Sequence, residues 1–173
     1  MNRTNKFDYI IFHKGCVDGF AGFFVLSLSN RIANNAFIYQ DVPSATNVPP
    51  NIDGKNIIII DVAYKKNILD IIFTYANSVV FIDHHDSIHL DVIDLYNKYK
   101  NDKKKQITIV YNENKCGSTL TWNYLFGKQT IPLFLKYIED QDIGKWKYEK
   151  TKPFLRAVKT YFNISPDSKT LKN

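Results

Sequence analysis

Three short stretches of this chain end in residues able to bind a metal ion. Phe7-Asp8-Tyr9-Ile10-Ile11-Phe12 runs into His13, Ile57-Ile58-Ile59-Ile60 into Asp61, and Ser78-Val79-Val80-Phe81-Ile82 into Asp83-His84-His85. Asp18 follows closely on His13, and Asp140 comes late, in Tyr137-Ile138-Glu139-Asp140-Gln141-Asp142. Acids and imidazoles are costly to bury unless something satisfies them. Each alone has an ordinary explanation: an Asp closing a strand caps a turn, and a His-His pair is commonly solvated. The coincidence is the signal, because three of the four histidines, with Asp18, Asp61 and Asp83, follow strands towards one edge. Hydrolysing a phosphodiester at neutral pH needs a nucleophile made from water and neutralisation of the phosphoryl oxygens. Two divalent cations about 3.5–4 Å apart supply both. Holding such a pair takes several carboxylates and imidazoles, one carboxylate bridging. A mixed set of this kind suits manganese better than an all-oxygen magnesium cage.

The elements that must position these residues follow from the hydrophobic pattern. Short apolar runs rich in β-branched residues, bounded by polar ones, predict strands buried on both faces. They fall at 7–12, 57–60, 78–82 and 107–111, with a shorter strand at 36–40. Helices are expected at 20–26, 65–75, 89–100 and 118–126, and from Pro132 through Glu139. Pro43 to Gly54 and the charged stretch Asn101 to Lys105 read as loops. Strands alternating with helices give an α/β fold, a three-layer α/β/α arrangement around a mainly parallel five-stranded sheet. In such a sheet ligands bind outside the carboxyl ends of the strands, where His13, Asp61 and Asp83-His84-His85 lie. Residues 1–148 are expected to form the metal-binding domain. Residues 149–173 are expected to be a short tail, with Phe154, Leu155 and Val158 in an amphipathic piece, or the start of a second domain.

With 173 residues, 45% of them hydrophobic, the chain suits one globular domain with a real core. The net charge of +6 raises the prior for a polyanionic partner, although it is carried mostly by lysine and carries little weight alone. Two cysteines, Cys16 and Cys116, make no disulfide framework, which points to a reducing compartment. The polar start, Met1 to Lys6, and the shortness of the apolar run after it exclude a signal sequence or a membrane span there. A soluble cytoplasmic protein is expected. Asn163-Ile164-Ser165 fits a glycosylation acceptor only by chance in that setting.

Asp83-His84-His85 after its strand, the lone Asp61 ending the previous one and the loop His13…Asp18-Gly19 together resemble the DHH phosphoesterase superfamily. That superfamily includes single-strand exonucleases, oligoribonucleases, cyclic dinucleotide phosphodiesterases and manganese inorganic pyrophosphatases. The ordered set of motifs spans Phe7 to Trp146. The resemblance implies that His13 and Asp61 hold one ion, and that Asp18, Asp61, His84 and Asp140 hold a second. Asp83 would orient the neighbouring histidine, and His85 would contact the scissile phosphate. Asp142 competes with Asp140 for the late acidic position. Ser118 and Thr119 resemble a helix start of the family whose backbone N–H groups meet a phosphate.

Two departures stand out. The family's first loop carries two aspartates two positions apart, whereas Cys16 stands here where the first would be, in His13-Lys14-Gly15-Cys16-Val17-Asp18-Gly19. Cys16 is therefore a candidate ligand, softer than a carboxylate. Nothing after Trp146 resembles the second domain that closes over the substrate in most members, so the expectation is either a minimal version or one part of a longer or assembled protein, in which a second domain or partner chain covers the cleft. The expectation is a hydrolase using two divalent ions, manganese preferred over magnesium, on a short oligonucleotide or nucleotide. The rivals are a catalytically silent module that binds single-stranded nucleic acid or a replication or repair partner, and a manganese pyrophosphatase.

Overall fold

The computed structural model describes residues 6–102 and 105–164. Most of the polar start, part of the charged 101–105 loop, the polar end of the tail and Ser165 of the glycosylation pattern lie outside the described residues. Five strands form one sheet: β1 (Phe7–His13), β2 (Ile32–Asp41), β3 (Asn56–Ile60), β4 (Ser78–Asp83) and β5 (Gln106–Tyr111). The order is β2-β1-β3-β4-β5, and every pairing is parallel. Parallel pairing accounts for the strand composition. Helices cover both faces, so Ile57 to Ile60 and the whole of Ser78–Asp83 are buried, with no alternation of polar residues.

The helices are α1 (Val17–Ser27), α2 (Lys66–Tyr75), α3 (His89–Tyr99), α4 (Gly117–Phe126), α5 (Leu133–Asp142) and α6 (Thr151–Tyr161). On one face Ile57, Ile59, Val79 and Phe81 meet Ile68, Leu69 and Ile72 of α2 and Val92 and Leu95 of α3. On the other, Ile58, Ile60, Val80 and Ile82 meet Phe23 and Leu26 of α1 and Leu120 of α4. The alternation of the two sets along each strand is the period of two expected of a pleated strand. Outside α1 and α4 lies a further layer, in which Leu135 and Ile138 of α5 and Leu155 of α6 pack with Ala21, Val25 and Cys116. Among the described residues no helix is long and apolar enough to cross a membrane.

The five strands and their helices lie where the hydrophobic pattern puts them, and the boundaries differ for physical reasons. β2 begins four residues early because it is an edge strand, where Asn34 and Asn35 stay exposed while their backbone remains extended. α1 starts at Val17, so Asp18 and Gly19 belong to its first turn. α5 continues through Asp142, one turn past Glu139. The chain moves outward from β1 to β2, then returns past β1 to β3. The sheet order therefore reverses between β1 and β3, and there the loops leaving the strands diverge and open a crevice. His13 ends one of these two strands and Asp61 follows the other.

Candidate metal centre

Asp61 is the first residue past β3, and it adopts a left-handed backbone with φ of 63°. Aspartate tolerates that region better than most residues, at a strain of order 1 kcal/mol. Its amide still donates to Ile82 O, so the turn is anchored to β4 (2.9 Å). The side chain is buried, and its two oxygens point to different partners. Oδ2 lies 3.2 Å from Nδ1 of His13, and Oδ1 lies 3.2 Å from Nε2 of His84. Burial alone would raise its carboxyl, but the bonds to His13 and His84 prevail and hold it below the usual range.

Asp18 reaches the same point from the first turn of α1. Its carboxylate accepts from the backbone N–H of Gly117 (2.6 Å) and Ser118 (3.0 Å) and from the Ser118 hydroxyl (2.5 Å). It thus caps α4 from another helix, where the dipole favours a negative charge. The close approach depends on Gly117, since a Cβ there would stand 2.9 Å from both Asp18 Oδ2 and Asp61 Cβ. Gly19 is similarly constrained, its Cβ position lying 2.6 Å from Cβ of His13. Burial, then the neighbouring carboxylates of Asp61 and Asp142, push Asp18 upward.

His84 lies between these acids, with Nε2 3.2 Å from Asp61, 3.2 Å from Asp142 Oδ2 and 3.9 Å from Asp18. Burial works against its imidazolium, but the bond to Asp61 and the charges of Asp142 and Asp18 outweigh it and raise His84 to about 9. Asp83 organises the turn. Its Oδ1 accepts from the amides of His84 (2.6 Å) and His85 (2.8 Å) and lies 2.8 Å from His85 Nδ1. That contact raises His85 and orients its ring. The Tyr111 hydroxyl donates to His85 O (3.1 Å), holding the turn from β5.

Two trios of ligand atoms result, His13 with Asp61 and His85, and Asp18 with Asp61 and His84. Asp61 is common to both. The donor set fits divalent ions: the buried carboxylates of Asp18 and Asp61 converge with imidazoles, a concentration of negative charge that cations relieve. Asp142, at the end of α5, adds a fourth group beside His84; burial first, then repulsion from Asp61, raises its carboxyl.

Of the residues singled out in the sequence, His13, Asp18, Asp61, Asp83, His84 and His85 come together. Asp140 does not. Its carboxylate faces the other way and accepts from the amides of Lys147 (2.6 Å) and Tyr148 (3.1 Å) and from the Thr151 hydroxyl (2.5 Å), pinning the segment before α6. Two residues further along the helix, Asp142 turns into the cluster instead. Ser118 and Thr119 are buried, and the Ser118 groups expected to meet a phosphate are already given to Asp18, while the Thr119 hydroxyl lies 3.1 Å from Cys116 Sγ. Cys16 flanks the cluster but belongs to neither trio, and burial followed by the Asp61 charge raises its thiol. His89, left at the surface in the sequence, is half-exposed, 3.5 Å from Glu113.

Sequence reasoning missed Gly117, Lys14 and Lys159. A glycine at a helix start beside Ser118 was a legible signal for a close approach; nothing in the pattern marked the lysines. Both line a crevice of about 290 Å³ beside the cluster, with His13, Cys16, Asp18 and Asp142. Lys159 comes from α6, within the stretch read as a tail.

Compared with known proteins, the chain is 28% identical over 172 residues to an uncharacterized protein of Acanthamoeba polyphaga mimivirus. That match covers 92% of this chain but 38% of the relative, so the chain spans well under half of the relative's length. No family model matches, and no solved structure matches. The chain is an α/β protein with a five-stranded parallel sheet and buried His/Asp groups able to hold a metal ion.

Proposed function

We propose that this chain is a metal-dependent phosphoesterase of the DHH type, acting on a short oligonucleotide or nucleotide. The observation that carries the proposal is the division of Asp61, one oxygen towards His13 and the other towards His84, with Asp18 and Asp142 beside the latter. His13 and Asp61 would hold one divalent ion; Asp61, Asp18, His84 and Asp142 would hold the other. Bound there, the ions supply a water-derived nucleophile and neutralise the phosphoryl oxygens. The chain's own residues do the positioning. Asp83 would hold His85 through Nδ1 and orient its ring, so that the other ring nitrogen could meet a phosphoryl oxygen as its charge grows. Lys14 and Lys159 place positive charge along the crevice that receives the phosphate. The array is carried on the buried strands β1, β3 and β4, whose close packing would limit reorganisation in the reaction.

One observation favours the silent-module reading: Cys16 joins neither trio, which leaves the His13 side with fewer ligands than the His84 side. Manganese titration by calorimetry, together with a panel of short oligoribonucleotide, single-stranded DNA, cyclic dinucleotide, phosphoadenosine phosphate and pyrophosphate, decides. Two ions and turnover of a nucleotide substrate support the esterase. Turnover of pyrophosphate alone makes it a pyrophosphatase. A single ion with no turnover of any substrate overturns the proposal.

A further inference from the structure

The two faces of α5 serve different cavities. Ile138, Gln141 and Asp142 face the crevice at the metal centre, whereas Lys136, Glu139 and Asp140 line a second cavity of about 370 Å³. Lys115, Lys145 and Lys147 complete its basic wall, with Tyr148 at the rim. The two acids of the wall are engaged: Glu139 lies 3.4 Å from Lys115, and Asp140 holds the 147–151 segment. Among the described residues Lys136 enters no ion pair, and Lys147 has its ammonium 6.0 Å from the Tyr148 ring. With four lysines against two acids the cavity carries an excess of positive charge, even with Lys115 paired to Glu139 and Lys145 favouring the Asp140 carboxylate.

Trp146, between Lys145 and Lys147 in sequence, is 50% exposed and lies outside the cavity lining itself. Its backbone is left-handed, φ 50°, and its amide donates to Asp140 O at 3.1 Å. A bulky residue in that conformation is costly, and the anchoring by Asp140 maintains it. The fold holds an indole out in water, with the Lys152 ammonium 5.2 Å from its centre. Tyr148 is 37% exposed beside it.

We infer that the lysine cavity and Trp146 form a binding track for single-stranded nucleic acid, lysines taking successive phosphates and the indole stacking on a base. Lysines alone would suit any polyanion. An exposed indole flanked in the chain by two of those lysines selects for a ligand that alternates phosphates with flat rings. Binding at this cavity does not depend on the esterase proposal.

The test is fluorescence anisotropy with labelled twelve-residue thymidine and uridine oligonucleotides in EDTA, so that hydrolysis plays no part. Trp146→Ala should weaken both by about tenfold or more. Lys136→Gln and Lys147→Gln should each weaken binding and flatten the dependence of log K on log salt by about one. Lys55→Gln, away from the cavity, should do neither. Unequal affinity for the two oligonucleotides would assign the track to DNA or RNA. Failure to bind either overturns the inference. So does indifference to Trp146→Ala with full competition by inorganic polyphosphate, or an equal effect of Lys55→Gln. A protein that binds in this way but turns nothing over keeps the inference and loses the esterase; an active protein without such binding does the reverse.

Discussion

Asp61 and Asp142 differ from Asp140 in what their carboxylates face, and the difference is measurable. Asp61→Asn preserves the left-handed turn, because asparagine tolerates that region equally well, while removing the charge between His13 and His84. On the esterase proposal it should lower manganese-dependent turnover by at least a hundredfold and leave circular dichroism unchanged. Asp142→Asn should weaken manganese binding by about tenfold or more and cost stability only through the lost contact with His84, since its carboxylate bonds no backbone group among the described residues. Asp140→Asn should do the opposite. Burial disfavours its charge, but Thr151 and the amides of Lys147 and Tyr148 hold the carboxyl below the usual range, so the variant should lower the thermal midpoint by a few degrees and leave metal affinity near normal. Calorimetry and thermal melts on the same three proteins separate these outcomes.

At the scale of elements, the centre exists because one helix start meets the switch between β1 and β3. α4 approaches so closely that Gly117 has no room for a side chain, and its first amides end on Asp18 rather than in solvent. Gly117→Ala must displace Asp18 or Asp61 by several tenths of an ångström. The expected result is a ten- to hundredfold loss of metal affinity, the range seen when groups that orient ligands are disturbed, with the helical content of the protein intact. An alanine variant that binds manganese normally would show that the cradle is slack.

For the whole molecule, the pairing of His84 with the surrounding acids makes stability depend on pH. His84 is raised in the folded state from 6.5 to about 9. Its contribution to stability is full below about 6.5 and is lost as pH rises through about 9. The thermal midpoint of the metal-free protein should therefore fall across that window. A divalent ion needs the neutral imidazole, so binding displaces a proton and tightens as pH rises. At a hundredfold excess of free manganese over its dissociation constant the midpoint should rise by about 5–10 °C, and a chelator should reverse it. Melts at several pH values, with and without manganese, check both slopes.

The apolar runs at 7–12, 57–60 and 78–82 are enough to specify a parallel sheet buried on both faces, and their polar terminations place His13, Asp61 and His84 at one edge, because strand polarity is shared. Fold and most of the centre were thus legible locally. The choice between Asp140 and Asp142 was not, since both close the same helix and only the packing of α5 against α1 and α4 sets which one faces inward. Nor could the sequence show that Ser118 is committed to Asp18, one hundred residues away, or that α6 lends Lys159 to the crevice. Local pattern fixes which residues end a strand. Contacts between distant segments, governed by close packing and by the demand that buried polar groups be paired, decide which of them meet.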